Sequence, residues 1–359
     1  MAWIKIEGQR INLHDLQDFH PSSPNSENIV EFANSWLSGQ QSFEFQTSGS
    51  TGKPKKITIS RTQMECSANM TIKALSLTSS DTALLCMNPA FIGGKMMIVR
   101  SLINQMNLVV IEPSSNPLKE LDEPVDFAAL VPLQLINAIN NSDSFKKLKS
   151  ISNIIVGGGQ VSESVRQEVK SLDNHIYSTY GMTETVSHIA LQLLSKHSDG
   201  NHFTALDGVE IGTDERECLA IKAEVTNNSL IVTNDRVEII DSNKFKWLGR
   251  IDNVINSGGI KVQIEQIENV ISEIFNSLGL VNRFILKGFK DDFLGEKVIL
   301  IIEGKIDGKS LESLSQYLPT KLHKYEKPKE IHFVDKLIET PTSKIVRNTD
   351  YKIVSSIVI

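Results

Sequence analysis

A run of nine residues, 47–55, concentrates hydroxyl, glycine and lysine side chains in one short stretch. Glycine lets the backbone approach an anion closely, so that several N–H groups converge on it, and hydroxyl and ammonium groups add further donors. The alternating runs 43–45 and 57–59 flank this stretch, which is unusual for a free linker. We therefore predict a phosphate-binding loop, although a solvated polar turn is the common use of such residues. The residues expected to contact phosphate are Thr47, Ser48, Gly49, Ser50, Thr51, Gly52 and Lys53.

This loop is not a Walker A motif. That motif has four residues between its first glycine and the Gly-Lys pair, and Ser or Thr follows the lysine. Here only two residues separate Gly49 from Gly52, and Pro54 follows Lys53. The sequence therefore predicts that a nucleotide is held by a hinged hairpin and not by the N-terminus of a helix.

Two further clusters follow strand-like segments. The glycines 157–159 end one apolar run, and the segment 180–184, Y-G-M-T-E, ends another. A hydroxyl and a carboxylate beside a glycine turn suit a magnesium ion next to a phosphate. The alternative is a structural turn in which Thr183 caps a helix and Glu184 favours the helix dipole.

Three charged residues later in the chain suit nucleotide chemistry. Asp235 ends the motif Thr-Asn-Asp, and a carboxylate accepts hydrogen bonds from ribose hydroxyls, although an isolated Asp is usually a turn residue. Arg250 lies near an expected domain boundary. Lys344 follows small residues and would reach into an active site as a point charge, although a surface position is the ordinary outcome.

The elements that must position these residues change in character along the chain. From about 83 to 170, apolar strand-like runs alternate with helical stretches, which predicts an α/β domain with parallel pairing and ligands at the carboxyl ends of its strands. Short alternating runs at about 201–248 predict a small antiparallel β subdomain. We expect a large α/β domain over 1–251, with a shortened N-terminal part, and a small α+β domain over 252–359.

Bulk properties exclude several classes of protein. The net charge of −6 argues against a general nucleic-acid or anionic-membrane surface. No apolar run approaches the roughly 20 residues that span a bilayer. The three cysteines, Cys66, Cys86 and Cys218, are far apart and predict buried thiols in a reducing cytoplasm. The eight histidines lack zinc-binding spacing.

The order of the motifs is more specific than any one of them. Between residues 47 and 347 they are T-S-G-S-T-G-K-P-K, Y-G-M-T-E, T-N-D, G-R-I-D-N-V-I-N-S-G-G-I-K-V and P-T-S-K-I-V-R. This series resembles that of the adenylate-forming superfamily of acyl-CoA synthetases, adenylation domains and luciferases. Within the superfamily, the stretch F-I-G-G-K-M-M at 91–97, the form I-N-S-G-G-I-K and the short N-terminal region are similar to the o-succinylbenzoate–CoA ligases of menaquinone biosynthesis.

The resemblance implies a cytoplasmic ATP-dependent carboxylate–CoA ligase that uses ATP, Mg²⁺, coenzyme A and a small-molecule carboxylic acid. It implies that 48–53 handle the β- and γ-phosphates, that Thr183 and Glu184 hold the α-phosphate and the metal, and that Lys344 contacts the reacting carboxylate. Asp252 is the implied hinge of a mobile small domain. The other implied contacts are Gly157, Gly158, Gly159, Tyr180 and Gly181 at the adenine slot, Asp235 and Arg250 at the ribose, and Gly258 and Gly259 along the pantetheine path.

A second, unreacted carboxylate on such a substrate needs a cation or hydrogen-bond donors. Lys95, Arg100 and His188 are the candidates, and each also suits a core-edge or surface role. Two other enzyme functions stay open at this point: another aryl or fatty acid–CoA ligase, or a carrier-protein adenylation enzyme. A catalytically dead nucleotide-binding protein is the alternative from a different class.

The chain departs from the family pattern at three positions. Ser343 and Asn234 stand where the family usually has glycine, and Asn256 stands where lysine is common. No departure removes a charged catalytic group. The retention of Glu184 and Lys344 therefore argues against a dead site.

Overall fold

A computed structural model describes residues 2–46, 56–340, 345–347 and 349–359. The predicted phosphate loop at 47–55 and the predicted catalytic Lys344 lie outside the described residues.

The N-terminal part supplies two strands at one end of the first sheet, a helix and a hairpin. The elements are β1 (Trp3–Ile6), β2 (Gln9–Asn12), α1 (Pro24–Leu37), β3 (Ser42–Gln46) and β4 (Lys56–Ser60). The Ser23 side chain caps α1 by accepting from the backbone N–H of Ser26, and Pro24 occupies the first turn, where its missing N–H costs nothing. Strands β3 and β4 pair antiparallel up to Gln46 opposite Lys56. The predicted strands on both sides of 47–55 are therefore confirmed.

A parallel layer follows, built from strands that alternate with helices. It comprises α2 (Arg61–Ala74), β5 (Thr82–Leu85), α3 (Ile92–Asn104), β6 (Asn107–Val110), β7 (Phe127–Leu130), α4 (Pro132–Ile139), α5 (Ser142–Ser150), β8 (Asn153–Val156), α6 (Glu163–Val169) and β9 (His175–Gly181). The strands lie in the order β1-β6-β5-β7-β8-β9 and are parallel throughout. This confirms the α/β prediction. Helix α5 was not predicted, because Phe145 and Leu148 are its only large apolar residues.

Antiparallel strands then extend the same sheet. They are β10 (His188–Leu193), β11 (Phe203–Ala205), β12 (Glu210–Thr213), β13 (Cys218–Lys222), β14 (Ile231–Ile239) and β15 (Lys244–Arg250). Through β10 and β11 they continue from β9 in one sheet of thirteen described strands. Within the predicted β subdomain, the runs Ser229–Thr233 and Val237–Ile240 are separated by polar residues that include Asp235, a pattern that predicts two short strands and a turn. The structure corrects this to one continuous strand, β14, whose register with β15 shifts between Arg236 and Val237.

Every described strand after Arg250 belongs to a second sheet. Its elements are β16 (Val254–Ser257), β17 (Ile260–Gln263), α7 (Ile264–Ser277), β18 (Phe284–Asp291), β19 (Gly295–Glu303), α8 (Gly308–Lys321), β20 (Glu330–Val334) and β21 (Ile353–Val358). Its core includes Ile271 of α7, Leu300 of β19 and Leu314 of α8, which are fully buried. A single 3₁₀ turn, Ile251–Asn253, leads from the first sheet to the second.

Two smaller points concern the rest of the fold. Cys86 and Cys218 are buried as predicted, Cys66 is half-buried, and all three thiols are free. Among the described residues, no helix has both the length and the apolar character needed to cross a bilayer.

Candidate active site

A cavity of about 1600 Å³ opens at the carboxyl ends of β5, β7, β8 and β9. This is where ligands bind in parallel α/β sheets. Of the predicted site residues that the structure describes, those lining the cavity are Arg100, Gly157, Gly158, Gly159, Tyr180, Gly181, Thr183, Glu184, His188, Asp235 and Arg250. Those that do not line it are Lys95, Asp252, Gly258 and Gly259.

The glycine run ends β8 beside the end of β9. A Cβ built on Gly157 would lie 2.6 Å from the Thr179 hydroxyl oxygen. That hydroxyl donates to the Val156 carbonyl at 3.2 Å. Any larger residue at 157 would displace this contact. Glycine therefore lets the ends of β8 and β9 lie close together beneath the cavity.

A tight turn presents Thr183 and Glu184 to the cavity. Its centre is the hydroxyl of Thr185, which accepts from the Met182 N–H at 3.0 Å and lies 2.8 Å from the Ser187 carbonyl. Val186 then takes a φ of +65° while buried, a conformation that costs free energy for a β-branched residue. The sequence alternative of a capped helix is incorrect, since Thr183–Thr185 form only a 3₁₀ turn.

The Glu184 carboxylate is exposed to the cavity and makes no ion pair or hydrogen bond to another described residue. Thr183 precedes Glu184 directly, one-third of a turn away on the same 3₁₀ segment. A free carboxylate beside a hydroxyl is the oxygen donor set that Mg²⁺ prefers, with water and phosphate oxygens filling the other positions. The residues present therefore fit a magnesium ion.

Asp235 is the centre of a polar cluster on the opposite wall. It is 7% exposed, accepts from the Tyr180 hydroxyl at 2.8 Å and from the Trp247 indole N–H at 3.1 Å, and lies 3.7 Å from Arg250. A carboxylate offers about four acceptor positions, so some stay available to a ligand. Burial and the neighbouring Asp235 charge raise the pKa of Tyr180, which keeps its hydroxyl a donor.

Arg250 joins this cluster to the connection between the two sheets. Its guanidinium also donates to Asp252 at 2.6 Å, and the Asn234 amide donates to both Asp252 oxygens at 3.2 Å. Although burial opposes it, the hydrogen bond from Arg250 to Asp252 and the charge of Asp235 raise the pKa of the guanidinium. Asp252 is thus tied to the first sheet and not to the cavity.

The cavity lining includes a buried cation. Arg100 is 1% exposed, and its guanidinium donates to the Ser187 hydroxyl at 3.0 Å, while its Nε has no partner among the described residues. No carboxylate of a described residue pairs with it. Burial lowers the pKa of Arg100 to about 9, so the group stays protonated at neutral pH. An unpaired buried guanidinium facing a cavity is suited to an anionic ligand.

His188 is a neutral neighbour of this cation. Its ring nitrogens lie 3.1 Å from the Thr71 hydroxyl and 3.4 Å from the Ser187 hydroxyl. Burial, reinforced by the Arg100 charge, holds the pKa of His188 well below its usual range. Of the three proposed substrate cations, His188 therefore acts only as a hydrogen-bonding group.

The structure places Lys95 away from the cavity. Its ammonium lies 5.2 Å from the ring centre of Phe32 and 5.1 Å from that of Phe45. These cation–π contacts attach α3 to α1 and β3. Helical spacing explains the difference, because Lys95 and Arg100 are five residues apart and point to different faces of α3.

Sequence reasoning missed several residues of this site. Trp247 and Ser187 hydrogen-bond site groups, and the rings of Phe203 and Phe245 lie 5.7 and 5.2 Å from that of Tyr180. None belongs to a charged motif. The sequence predicted a short strand over Phe245–Leu248, which contains Trp247, but only the pairing of β15 with β14 brings this side chain to Asp235.

Comparisons with known proteins agree with this geometry. The family model described as AMP-binding enzyme matches residues 43–212. The acyl-CoA synthetase (AMP-forming)/AMP-acid ligase II-like protein of Dyadobacter fermentans is 39% identical, with a TM-score of 0.62, over 92% of this chain and 95% of that one. The o-succinylbenzoate coenzyme A synthetase of Bacillus subtilis, solved with ATP and magnesium, has a TM-score of 0.71 at 22% identity, over 85% of this chain and 68% of that one.

Curated relatives carry a more specific name at lower identity. The 2-succinylbenzoate–CoA ligase of Lactococcus lactis is 25% identical over 321 residues, which is 84% of this chain and 68% of the relative. That of Listeria monocytogenes (serovar 1/2a) is 27% identical over 343 residues, 89% of this chain and 71% of the relative.

Proposed function

The chain belongs to the AMP-binding, adenylate-forming superfamily of AMP-forming acid–CoA ligases, and we propose that its acid is o-succinylbenzoate, which it converts to o-succinylbenzoyl-CoA in menaquinone biosynthesis. The single observation that carries the choice of acid is Arg100. It is a protonated, buried guanidinium that lines the cavity and has no carboxylate partner among the described residues.

The acid has the chemistry that Arg100 requires. o-Succinylbenzoate carries two carboxylates, of which one reacts and the other, on the ring, does not. The unreacted carboxylate would pair with Arg100 and the Ser187 hydroxyl, in a charge-assisted contact that a desolvated site makes strong. The names of the curated relatives support the same acid.

The glycine run and the Asp235 cluster of the cavity would hold ATP. The adenine would lie between the glycines 157–159 and the Tyr180 ring, and the ribose hydroxyls would donate to Asp235 while Arg250 neutralises that carboxylate. Trp247 and Tyr180 already hold the Asp235 oxygens in place, which lowers the entropy cost of ordering them around the ligand.

The reaction would proceed in two displacements. The reacting carboxylate oxygen attacks the α-phosphorus of ATP, the bond to the pyrophosphate oxygen breaks, and an acyl-adenylate forms. The sulfur of coenzyme A, having lost its proton, then attacks the acyl carbon, and AMP leaves with the electron pair of the broken C–O bond.

This chain's residues would assist chiefly by orientation and charge. Glu184 and Thr183 would hold Mg²⁺, which neutralises charge on the phosphate oxygens when bound. The loop 47–55 would donate to the β- and γ-phosphates, and Lys344 to the reacting oxygens. The small domain, 252–359, would turn about Asp252 between the two displacements and bring Gly258 and Gly259 to the cavity for the thiol.

The test is pyrophosphate release over a panel of carboxylic acids, each measured with and without coenzyme A. We expect release with o-succinylbenzoate to exceed that with benzoate, fatty acids and amino acids, and thioester to form only when coenzyme A is present. A preference for a fatty or simple aryl acid would replace the proposed acid. Bound ATP without release for any acid would indicate a nucleotide-binding protein that lacks catalysis.

A further inference from the structure

Two buried side chains from the segment after Asp252, one on β17 and one on α7, hydrogen-bond the main chain of Arg250. Gln263 ends β17, and its amide nitrogen donates to the Arg250 carbonyl at 2.8 Å. Glu265 lies in the first turn of α7, and its carboxylate accepts from the Arg250 N–H at 3.4 Å and from the Asn253 amide at 2.6 Å. Gln263 also donates to Glu265 at 2.5 Å. Both peptide groups of Arg250 are therefore bound from across Asp252.

Gly249 makes room for this arrangement. A Cβ built on Gly249 would lie 2.6 Å from the Gln263 amide nitrogen and 2.6 Å from a Glu265 oxygen, and its φ of +129° favours glycine in any case. The first residue of the motif G-R-I-D thus lets the two side chains close over the end of β15.

The clamp, which we define as Gln263 and Glu265, is buried and charge-compensated. Gln263 is 8% and Glu265 is 4% exposed. Glu265 lies in the field of the Arg347 guanidinium, whose pKa is raised by Glu268 and Glu265 against the effect of burial. The amide oxygen of Gln263, Oε1, is buried without a partner among the described residues. A buried acceptor without a hydrogen bond costs free energy, so it offsets part of the stabilisation that the hydrogen bonds of the clamp provide. A weakened contact suits a clamp that must open in every turnover.

The same arginine is held at its other end by the first sheet. Its guanidinium faces Asp235 at 3.7 Å, and Asp235 accepts from Tyr180. The main chain of Arg250 is therefore bound by the second sheet, while its side chain belongs to the expected ribose site. A shift of the clamp should therefore move Arg250 and change the distance between its guanidinium and Asp235.

In this structure the two glycines of the expected pantetheine path lie outside the cavity, which is the arrangement expected before the thiol step. Gly258 and Gly259 are exposed and do not line the cavity, whereas Asn269 of α7 does and accepts from Gln160 at 3.3 Å. The thiol step is expected to need the two glycines at the cavity. Because the clamp bonds lie across Asp252, a rotation there must break them.

We propose that Gln263 and Glu265 are positioning residues that hold Arg250 and the small domain in the adenylate-forming orientation, and that they release both for thioester formation. This inference rests on the proposed function. It adds a coupling between the ribose site and the small domain, through the main chain of one residue.

The variants are Glu265→Gln, which keeps shape and loses the charge, and Gln263→Met, which keeps volume and loses both hydrogen bonds. The matched controls are Gln266→Ala and Lys261→Ala, at exposed positions on the same two elements. Three quantities are measured: ATP–pyrophosphate exchange, thioester formation from a supplied acyl-adenylate of the acid that the panel selects, and amide hydrogen exchange at 249–253 with and without ATP.

We expect clamp variants to lose about tenfold in pyrophosphate exchange, equivalent to about 1.4 kcal/mol. Thioester formation from supplied adenylate should be unchanged or faster, and both controls should match the original chain. Equal losses in both half-reactions would overturn the inference.

Amide hydrogen exchange tests whether the clamp holds Arg250, and it does so without a measurement of catalysis. ATP should slow exchange at 249–253 in the original chain and in the controls, and should slow it less in the clamp variants. If no acid releases pyrophosphate, the proposed function fails, but this measurement still tests the clamp. Identical exchange in all variants would show that Gln263 and Glu265 do not hold Arg250.

Discussion

The Tyr180 hydroxyl donates a 2.8 Å hydrogen bond to Oδ2 of Asp235, 55 positions further along the chain. The strands β9 and β14 that carry these residues are separated by β10, β11 and β15 in the sheet. In a flat sheet they would be about 19 Å apart, so the sheet must curl at this end. The curl closes one wall of the cavity and brings an aromatic ring and a carboxylate to one site.

This hydrogen bond leads to the first prediction. Tyr180→Phe should raise the KM for ATP about fivefold, because one buried hydrogen bond contributes about 1 kcal/mol and orients Asp235 toward the ribose. The kcat of adenylate formation should change little, since the ring that contacts adenine is kept. Steady-state pyrophosphate release over a range of ATP concentrations measures both.

Tyr177→Phe is the control for that variant. Tyr177 lies on the same strand, is half-buried and does not line the cavity. A similar KM change in both variants would mean that the Tyr180 effect is a general result of removing a hydroxyl from β9.

Arg100→Met should raise the thermal stability of the protein and weaken its binding of o-succinylbenzoate. Removing a buried guanidinium that lacks a carboxylate partner should raise the melting temperature, because its desolvation is not repaid in the free protein. The KM for o-succinylbenzoate should rise roughly 10- to 100-fold, in line with about 1.5–3 kcal/mol for a charge-assisted hydrogen bond. Activity with 4-phenyl-4-oxobutanoate, which lacks the ring carboxylate, should stay within about twofold.

Lys95→Met is the matched control on the same helix. Its ammonium contacts two aromatic rings outside the cavity, so the ratio of the two acids should not change. If Lys95→Met altered this ratio as much as Arg100→Met, the assignment of the ring carboxylate to Arg100 would be wrong.

The buried His188 predicts a loss of stability at acidic pH. Its pKa is depressed in the folded chain, so below the unfolded value of about 6.5 the unfolded state binds the extra proton. Stability should therefore rise with pH up to about 6.5 and fall below it by as much as about 1.4 kcal/mol per pH unit. His188→Gln, which keeps hydrogen-bonding groups toward Thr71 and Ser187, should flatten this dependence between pH 5.5 and 7.5 in denaturant titrations. An unchanged slope would contradict a neutral buried imidazole.

Glu184→Gln should weaken the binding of Mg²⁺ and slow adenylate formation. The free carboxylate is the candidate metal ligand, so its loss should reduce adenylate formation about 100-fold and shift the Mg²⁺ dependence to higher concentration. Chelation with EDTA should stop the original enzyme. Glu163→Gln, at another cavity-lining carboxylate, provides the control and should leave the Mg²⁺ titration unchanged.

Lys344→Ala should affect only one half-reaction. Adenylate formation should be abolished, because the lysine is expected to neutralise charge on the attacking carboxylate and the α-phosphate. Thioester formation from supplied adenylate should be largely kept, since the proposed rotation of the small domain would turn this residue away before the thiol reacts. Equal loss of both steps would argue against two orientations of the small domain.

Local sequence patterns predicted the elements that carry the site. The strands flanking 47–55, the alternation of strands and helices to 170, and the amphipathic helix α7 follow from short-range periodicity, which depends only on neighbouring residues. The prediction failed at Asp235, where polar residues suggested a turn. Pairing with strands on both sides keeps β14 continuous there, and that pairing depends on residues distant in sequence.

The sequence by itself determined the family, the α/β class and the types of side chain expected to meet phosphate, metal and ribose, because these are properties of short motifs in a particular order. Only the tertiary structure decided which cation is buried at the cavity without a carboxylate partner. Lys95, Arg100 and His188 were equivalent candidates, and packing turned the first onto two aromatic rings, left the second buried without a carboxylate and kept the third neutral. Charge and burial depend on what the fold brings near each group, and a linear motif does not contain that information.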